Sequence, residues 1–398
     1  MTQLLSKHDL IALVDRLLLE QGRLDPLELL IACDLLAYAD YEAWRLGLRP
    51  HLEGVLRVPA NAASELLAQA SRYAGAQGLV TESLVHLAWG AAPRMLAIGQ
   101  DTQLAQGCAY AYVRPANRIQ LDLFQDNQFQ ILEDAVRAAL AGRRIDAAHT
   151  ALTRLLALDP KHAKLPRYLR LIQAVEDLPS RAAAERLPEL EALEPEAQAL
   201  LGHRARDLLA PLWVTLAEDL AQHPFDPAAP RLHASTAWAR AGRFAQVRQS
   251  LEADPDWQRR PQHRIDHAHA CRRTGDLAAA RRDWAVLCWE HPAEAARALS
   301  AKDLPDPRML QLWSQFNDTD LDLTTAHFPA WLLIADPGTA AAVPPALAPA
   351  DPAGDAYRAL HPLVTGDDAG IRQRKILAAL SPELLRLYLA GIESKVSR

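Results

Sequence analysis

The densest group of residues able to do chemistry is His263, His267 and Cys271, at successive four-residue steps along one expected helix face, with His269 beside them. Imidazole and thiolate suit zinc, and this spacing can bring two of them to one ion. All three together span about 12 Å along a helix, too far for a single ion. The expectation is therefore that His267 and Cys271 pack between helices, and that no metal or cofactor is held. Asp318, Asp320 and Asp322 alternate like the opening of a calcium loop. Leu323 stands where that loop needs glycine, and Pro329 where it needs a bidentate glutamate. A solvated turn or helix cap is expected there instead. The chain has no glycine-rich phosphate loop ending in Lys-Ser/Thr, no GxGxxG, no GxSxG elbow and no HExxH. Their absence shifts the expectation to a binding protein without catalytic residues. The alternative is an enzyme whose site carries none of these motifs, in a pocket lined by the His263 region or by Asp318, Asp320 and Asp322.

A different kind of signal lies at Gln120-Leu121-Asp122-Leu123-Phe124. Residue for residue it resembles the short peptide by which bacterial polymerases and repair factors dock onto the DNA sliding clamp. The resemblance implies that Gln120 is a polar anchor, that Leu123 and Phe124 fill an apolar pocket, and that Leu121 sits in a flanking depression, with Asp122 between them. An extended peptide with alternate anchors can enter a preformed groove at little ordering cost. The competing reading is that Leu121, Leu123 and Phe124 simply fasten the segment to the neighbouring helices.

Composition narrows the classes further. The 398 residues carry 43 Lys+Arg against 49 Asp+Glu, a formal charge of -6, which argues against sequence-independent nucleic-acid binding. Arg45, Arg49 and Arg57 around Trp44 are the one candidate DNA contact, and their acidic neighbours argue against that role too. Hydrophobic residues make up 50%, too many for a disordered chain. The 4 Cys form no CxxC pair, so a reducing cytoplasm is expected rather than a disulfide scaffold. No apolar run reaches the roughly 18 residues of a membrane span, and because Asp15 and Arg16 interrupt the apolar stretch Leu10 to Leu19 no export signal is expected.

The elements that must position these residues read as helices, because apolar residues recur at three- and four-residue spacing. Residues 1–98 are expected to form an all-helical module with helices ending near Gly22, Gly47 and Gly78, one of them opened by Asp25-Pro26. Residues 99–127, with alternating apolar residues around Tyr110, Tyr112 and Val113 and then Pro115, are expected to form an extended connector or short strand. From 128 to 335 the helices return at a period of about 34 residues. Pro261–Pro292 is the clearest unit: a first helix, a turn at Thr274-Gly275-Asp276, a second helix with Ala280 and Trp284, and a terminal proline. It resembles a tetratricopeptide repeat, although His267, Ala268 and Cys271 depart from the usual residues. Weaker copies surround Gly242-Arg243-Phe244, Ala148 to Pro160, and Ala183 to Pro195. Trp238, Trp284 and Trp289 are expected in the core. An Ala/Pro-rich linker is expected at 336–356 and two closing helices at 357–398.

The resulting expectation is an all-α protein, an α-α superhelix of tetratricopeptide type with an N-terminal helical module and a short extended connector. Its groove would receive a protein partner, its peptide would reach the sliding clamp, and direct nucleic-acid or membrane binding is not expected.

Overall fold

Helix starts recur where a polar residue precedes a proline or an apolar stripe. Asp25 accepts from the Leu27 amide at 2.9 Å, Asp101 from Leu104 at 2.8 Å, Asp276 from Ala279 at 3.0 Å and Asp351 from Gly354 at 2.7 Å, each satisfying a donor that the first helical turn leaves free. The structure, a computed structural model, describes residues 7–90, 94–113, 115, 125–301, 304–319, 321–366 and 370–396. It is mostly helical, and its contacts divide it into two units, Met1–Arg243 and Phe244–Arg398.

In the first unit the chain runs α1 (Lys7–Gln21), β1 (Arg23–Leu24), α2 (Pro26–Ala32), α3 (Tyr38–Arg45), α4 (Ala60–Ala76), β2 (Val80–Ser83), α5 (Thr102–Gly107) and β3 (Tyr110–Val113). It continues through α6 (Gln125–Ala141), α7 (Ile145–Leu158), α8 (Leu165–Asp177), α9 (Ala183–Leu201), α10 (Ala205–Leu220) and α11 (Ala234–Arg240). The N-terminal body is thus not all-helical. β3 lies between β1 and β2 in an antiparallel sheet, with Leu24 opposite Tyr112 on one side and Thr81 opposite Tyr112 on the other. Residues 102–113 are correspondingly no mere connector: Leu104, Cys108 and Ala111 are buried, and Leu104 and Cys108 share a core with Val14, Leu29, Trp44 and Leu67.

A second core of this unit is built by α6 to α11, around Leu140, Leu155, Tyr168, Leu190, Trp213 and Leu216. The sequence pattern ends a repeat helix at Pro195, yet α9 runs through both Pro188 and Pro195 to Leu201. An internal proline costs about 3 kcal/mol or more. Burying Leu187, Leu190, Leu193, Leu200 and Leu201 along the same helix, at about 1.5–3 kcal/mol each, offsets it.

The second unit comprises α12 (Phe244–Glu252), α13 (Pro261–Thr274), α14 (Leu277–Glu290), α15 (Pro292–Leu299), α16 (Pro307–Asn317), α17 (Phe328–Ala335), α18 (Pro352–Thr365), α19 (Gly370–Leu380) and α20 (Pro382–Val396). α13 and α14 form a helical hairpin. Gly275 closes α13 in the left-handed region, at φ 86°, where a side chain would be strained, and Asp276 caps α14 at once. Ala268 and Ala280 are buried within the hairpin, and Trp284 and Trp289 are buried with them, whereas Trp238 in the first unit is half-buried.

The Ala/Pro-rich stretch 336–356 is packed, not a solvated linker. Ala340, Ala342, Val343 and Ala348 are buried, the Tyr357 hydroxyl donates to the Val343 carbonyl at 2.6 Å, and the Arg358 guanidinium donates to the Ala348 carbonyl at 2.6 Å. Short side chains let this backbone lie close against α18, where a Cβ on Gly354 would collide with the Pro349 carbonyl. α18 and α20 then pack on α17. The boundary between the units, at Arg243 and Phe244, falls inside the segment that the repeat pattern groups as 128–335.

Candidate functional site

The sequence singles out His263, His267 and Cys271, and the structure separates them. His263 turns towards Asp254, with Nδ1 3.9 Å from its carboxylate. His267 and Cys271, one turn apart on α13, do meet: the Cys271 Sγ lies 3.6 Å from His267 Nδ1 and 3.8 Å from Nε2. The third partner comes from the facing helix. Asp283 on α14 places Oδ2 2.6 Å from His267 Nδ1, while Glu252, the last residue of α12, places Oε1 3.0 Å from Nε2. His267, Cys271 and Asp283 are all buried, and one ligand atom from each lies within 4.8 Å of the others. The Trp257 ring covers the imidazole with centroids 4.3 Å apart, and Arg264 reaches towards the other oxygen of Asp283 at 3.9 Å.

Two carboxylates on one imidazole fix its electrostatics. Burial works to lower the His267 pKa, but the Asp283 hydrogen bond, the neighbouring Cys271 and the Glu252 carboxylate outweigh it and raise the value to about 10. Glu252 is in turn held below the usual carboxylate range, chiefly by its hydrogen bond from His267. A thiol nucleophile activated by histidine needs sulfur on one ring nitrogen and the orienting carboxylate on the other. Here carboxylates occupy both nitrogens and the thiol is fully buried, so the cluster is not arranged for nucleophilic attack.

Asp283 and Glu252 were not legible as members of this site. The only signal for Asp283 is its place three residues after Ala280 and beside Trp284, the face of α14 that meets α13.

The first unit holds a polar cleft of about 180 Å³ that includes Arg23, Asp25, Glu28, Arg45, Glu82 and Arg204 in its lining. Arg23 lies 3.9 Å from Asp25 and 3.8 Å from Glu82, and Glu28 accepts from Arg206 at 3.0 Å. Arg45 is buried between Tyr41 and Trp89, its guanidinium carbon 5.8 and 5.4 Å from their ring centroids. Burial raises the Glu28 pKa against the pull of Arg206, and burial lowers that of His203, also in the lining, to about 4. Trp44 is fully buried with its Nε1 donating to the Ala97 carbonyl at 2.9 Å; Arg49 pairs with Asp40 at 2.9 Å, and Arg57 donates to the Asp34 carbonyl at 3.1 Å. Of these residues, Trp44 and Arg45 are thus buried and Arg49 is paired with an acidic side chain.

A separate groove of about 440 Å³ runs along α9 and α10, with Pro195, Ala205, Leu209, Ala210 and Trp213 in its floor and Glu194, Arg206 and Arg240 beside them. The peptide Gln120–Phe124 lies outside the described residues, as does Asp320; Asp318 ends α16 and accepts from the Ser314 hydroxyl at 3.5 Å. Comparison with protein-family profiles, with curated proteins and with solved structures found no match. Among the described residues no helix is long and apolar enough to cross a membrane.

Proposed function

We propose that this chain is a non-enzymatic scaffold of tetratricopeptide-like helical pairs, arranged as a superhelix, that offers a groove to a protein partner and is tethered to the bacterial sliding clamp through Gln120, Leu121, Asp122, Leu123 and Phe124. The observation that carries the reading is the pentapeptide itself, set in the chain between β3 and α6. The α13–α14 hairpin, with its Gly275-Asp276 turn and buried Ala280 and Trp284, supports the repeat assignment. The apolar floor of the groove along α9 and α10 supports a protein partner. Such an adaptor raises the effective concentration of what it carries and contributes no chemistry of its own.

Three apolar side chains buried in a clamp pocket, at the upper value of about 3 kcal/mol each, can support affinity near the micromolar range. Calorimetry with purified bacterial clamp tests this. The native chain should bind, and a Leu123→Ala/Phe124→Ala variant should not. Equal binding by the two, or none by either, overturns the tether. Protection of residues 115–126 from limited proteolysis, together with no clamp binding, would leave a scaffold that works through its groove alone.

A further inference from the structure

We propose that His267 Nδ1, Cys271 Sγ and a carboxylate oxygen of Asp283 form a zinc site that staples α13 to α14, with Glu252 as the outer partner that orients the imidazole. The inference is independent of the scaffold reading.

The distances carry the argument. With metal–ligand bonds of about 2.0–2.3 Å to nitrogen, oxygen and sulfur, the ligand atoms of a tetrahedral zinc lie about 3.2–3.7 Å apart. Cys271 Sγ and His267 Nδ1 are already 3.6 Å apart. Asp283 Oδ2 and Nδ1, at 2.6 Å, share a hydrogen bond whose proton stands where an ion would bring both atoms into its shell. Opening this pair by about 0.7 Å gives the tetrahedral spacing. Thiolate, imidazole and carboxylate together are a donor set that favours zinc over calcium or magnesium.

The surroundings match what a ligating histidine requires. Its second nitrogen should donate to a carboxylate, which fixes tautomer and ring plane; Nε2 lies 3.0 Å from Glu252, on a side chain 48% exposed that also marks the solvent edge of the site. Arg264, 3.9 Å from Asp283 Oδ1, favours one-oxygen coordination by leaving Oδ2 for the ion. Thiolate and carboxylate cancel the charge of a divalent ion, so the loaded centre is neutral where it is most buried. As packing, the cluster is expensive: a buried histidine, aspartate and thiol in a repeat hairpin could be replaced by apolar residues at little or no loss of stability. Binding a metal gives them a use, and it releases the Nδ1 and thiol protons to solvent.

The test uses the full chain. Protein purified without chelator should contain close to one equivalent of zinc by elemental mass spectrometry. Protein stripped by chelator should bind one Co²⁺, with a thiolate-to-cobalt charge-transfer band and the intense visible absorption of a tetrahedral ion. Cys271→Ser should abolish the charge-transfer band, Glu252→Gln should weaken binding by about 10–100-fold, and Asp283→Asn, which alters a ligand itself, should weaken it more. His263→Gln, in a side chain the site does not use, should leave it unchanged. Circular dichroism of each variant establishes that it is folded. If Cys271→Ser does not fold, the charge-transfer band of the native chain and the weaker cobalt titration of that band in Asp283→Asn serve in its place. A natively folded wild-type chain that gives no charge-transfer band overturns the proposal, as does a band that persists in Cys271→Ser or disappears in a folded His263→Gln.

Discussion

Glu42 offers a direct measurement of what holds α3 to the later helices of the first unit. Its carboxylate is 4% exposed, accepts from Arg143 Nη2 at 2.6 Å, and pairs through its other oxygen with Arg243. Arg143 also donates from Nε to the Asp207 carbonyl at 2.6 Å and lies 4.2 Å from the Trp89 ring centroid. Glu42→Gln preserves the shape and removes the charge, leaving two guanidiniums, 17% and 18% exposed, facing each other without a counter-ion between them. Removing one partner of a buried ion pair costs about 3–5 kcal/mol. The remaining exposure of the arginines and the acceptor oxygen that glutamine keeps place the expected loss near the lower end, about 3 kcal/mol. At about 2–4 °C per kcal/mol for a unit of this size, the melting midpoint should fall by about 6–12 °C. Thermal unfolding followed by far-ultraviolet circular dichroism and tryptophan fluorescence measures it. Adding Arg143→Met should return part of the loss, with a coupling of about 0.5–3 kcal/mol in the double-mutant cycle. A Glu42→Gln variant within about 0.5 kcal/mol of the native chain would refute the argument, because a surface substitution does no less.

Two further outcomes are expected. Burial holds the folded His203 pKa at about 4, against about 6.5 for a free imidazole. Between those values the unfolded chain binds a proton that the folded chain does not, so the stability owed to neutral His203 is complete above pH ~6.5 and is lost as pH falls towards 4. His203→Gln should flatten the acid limb of the denaturation midpoint in that window; an unchanged slope would count against the burial. Separately, residues 337–350 should resist limited proteolysis in the native chain, and Gly354→Ala, which drives a methyl into the Pro349 carbonyl, should make them cleavable. Rapid cutting of the native chain there would contradict the packing around Val343.

Helices with a strong local signature were readable from the residues. Asp25-Pro26 opens α2, Gly275-Asp276 turns α13 into α14, and Trp284 is buried where the repeat pattern puts a bulky residue. What escaped had no local signature. β2 exposes all four of its side chains and β1 is two residues long, so neither shows the alternation that marks a strand; only pairing with β3 creates them. α19, whose stripe buries Leu377 fully, is equally weak in pattern. The Ala/Pro stretch was misread because composition registers proline and alanine as spacer residues, while methyl groups of Ala340 and Ala342 are enough to seal a close backbone approach. At the histidine cluster, four-residue spacing brought out His267 and Cys271, but the same rule added His263, which the structure turns away, and left out Asp283, which lies on the other helix of the hairpin. Spacing along one helix cannot reveal what the next one contributes.

The sheet has a consequence for the order of events during synthesis. β1 and β2 touch each other nowhere in the ladder; each bonds only to β3, which lies about ninety residues downstream of β1. Until Tyr110–Val113 leaves the ribosome, both early strands must wait with their edges open, and a product cut short between β2 and β3 is left with two unmatched strands. The N-terminal body is therefore completed from behind, by a piece of chain that arrives last.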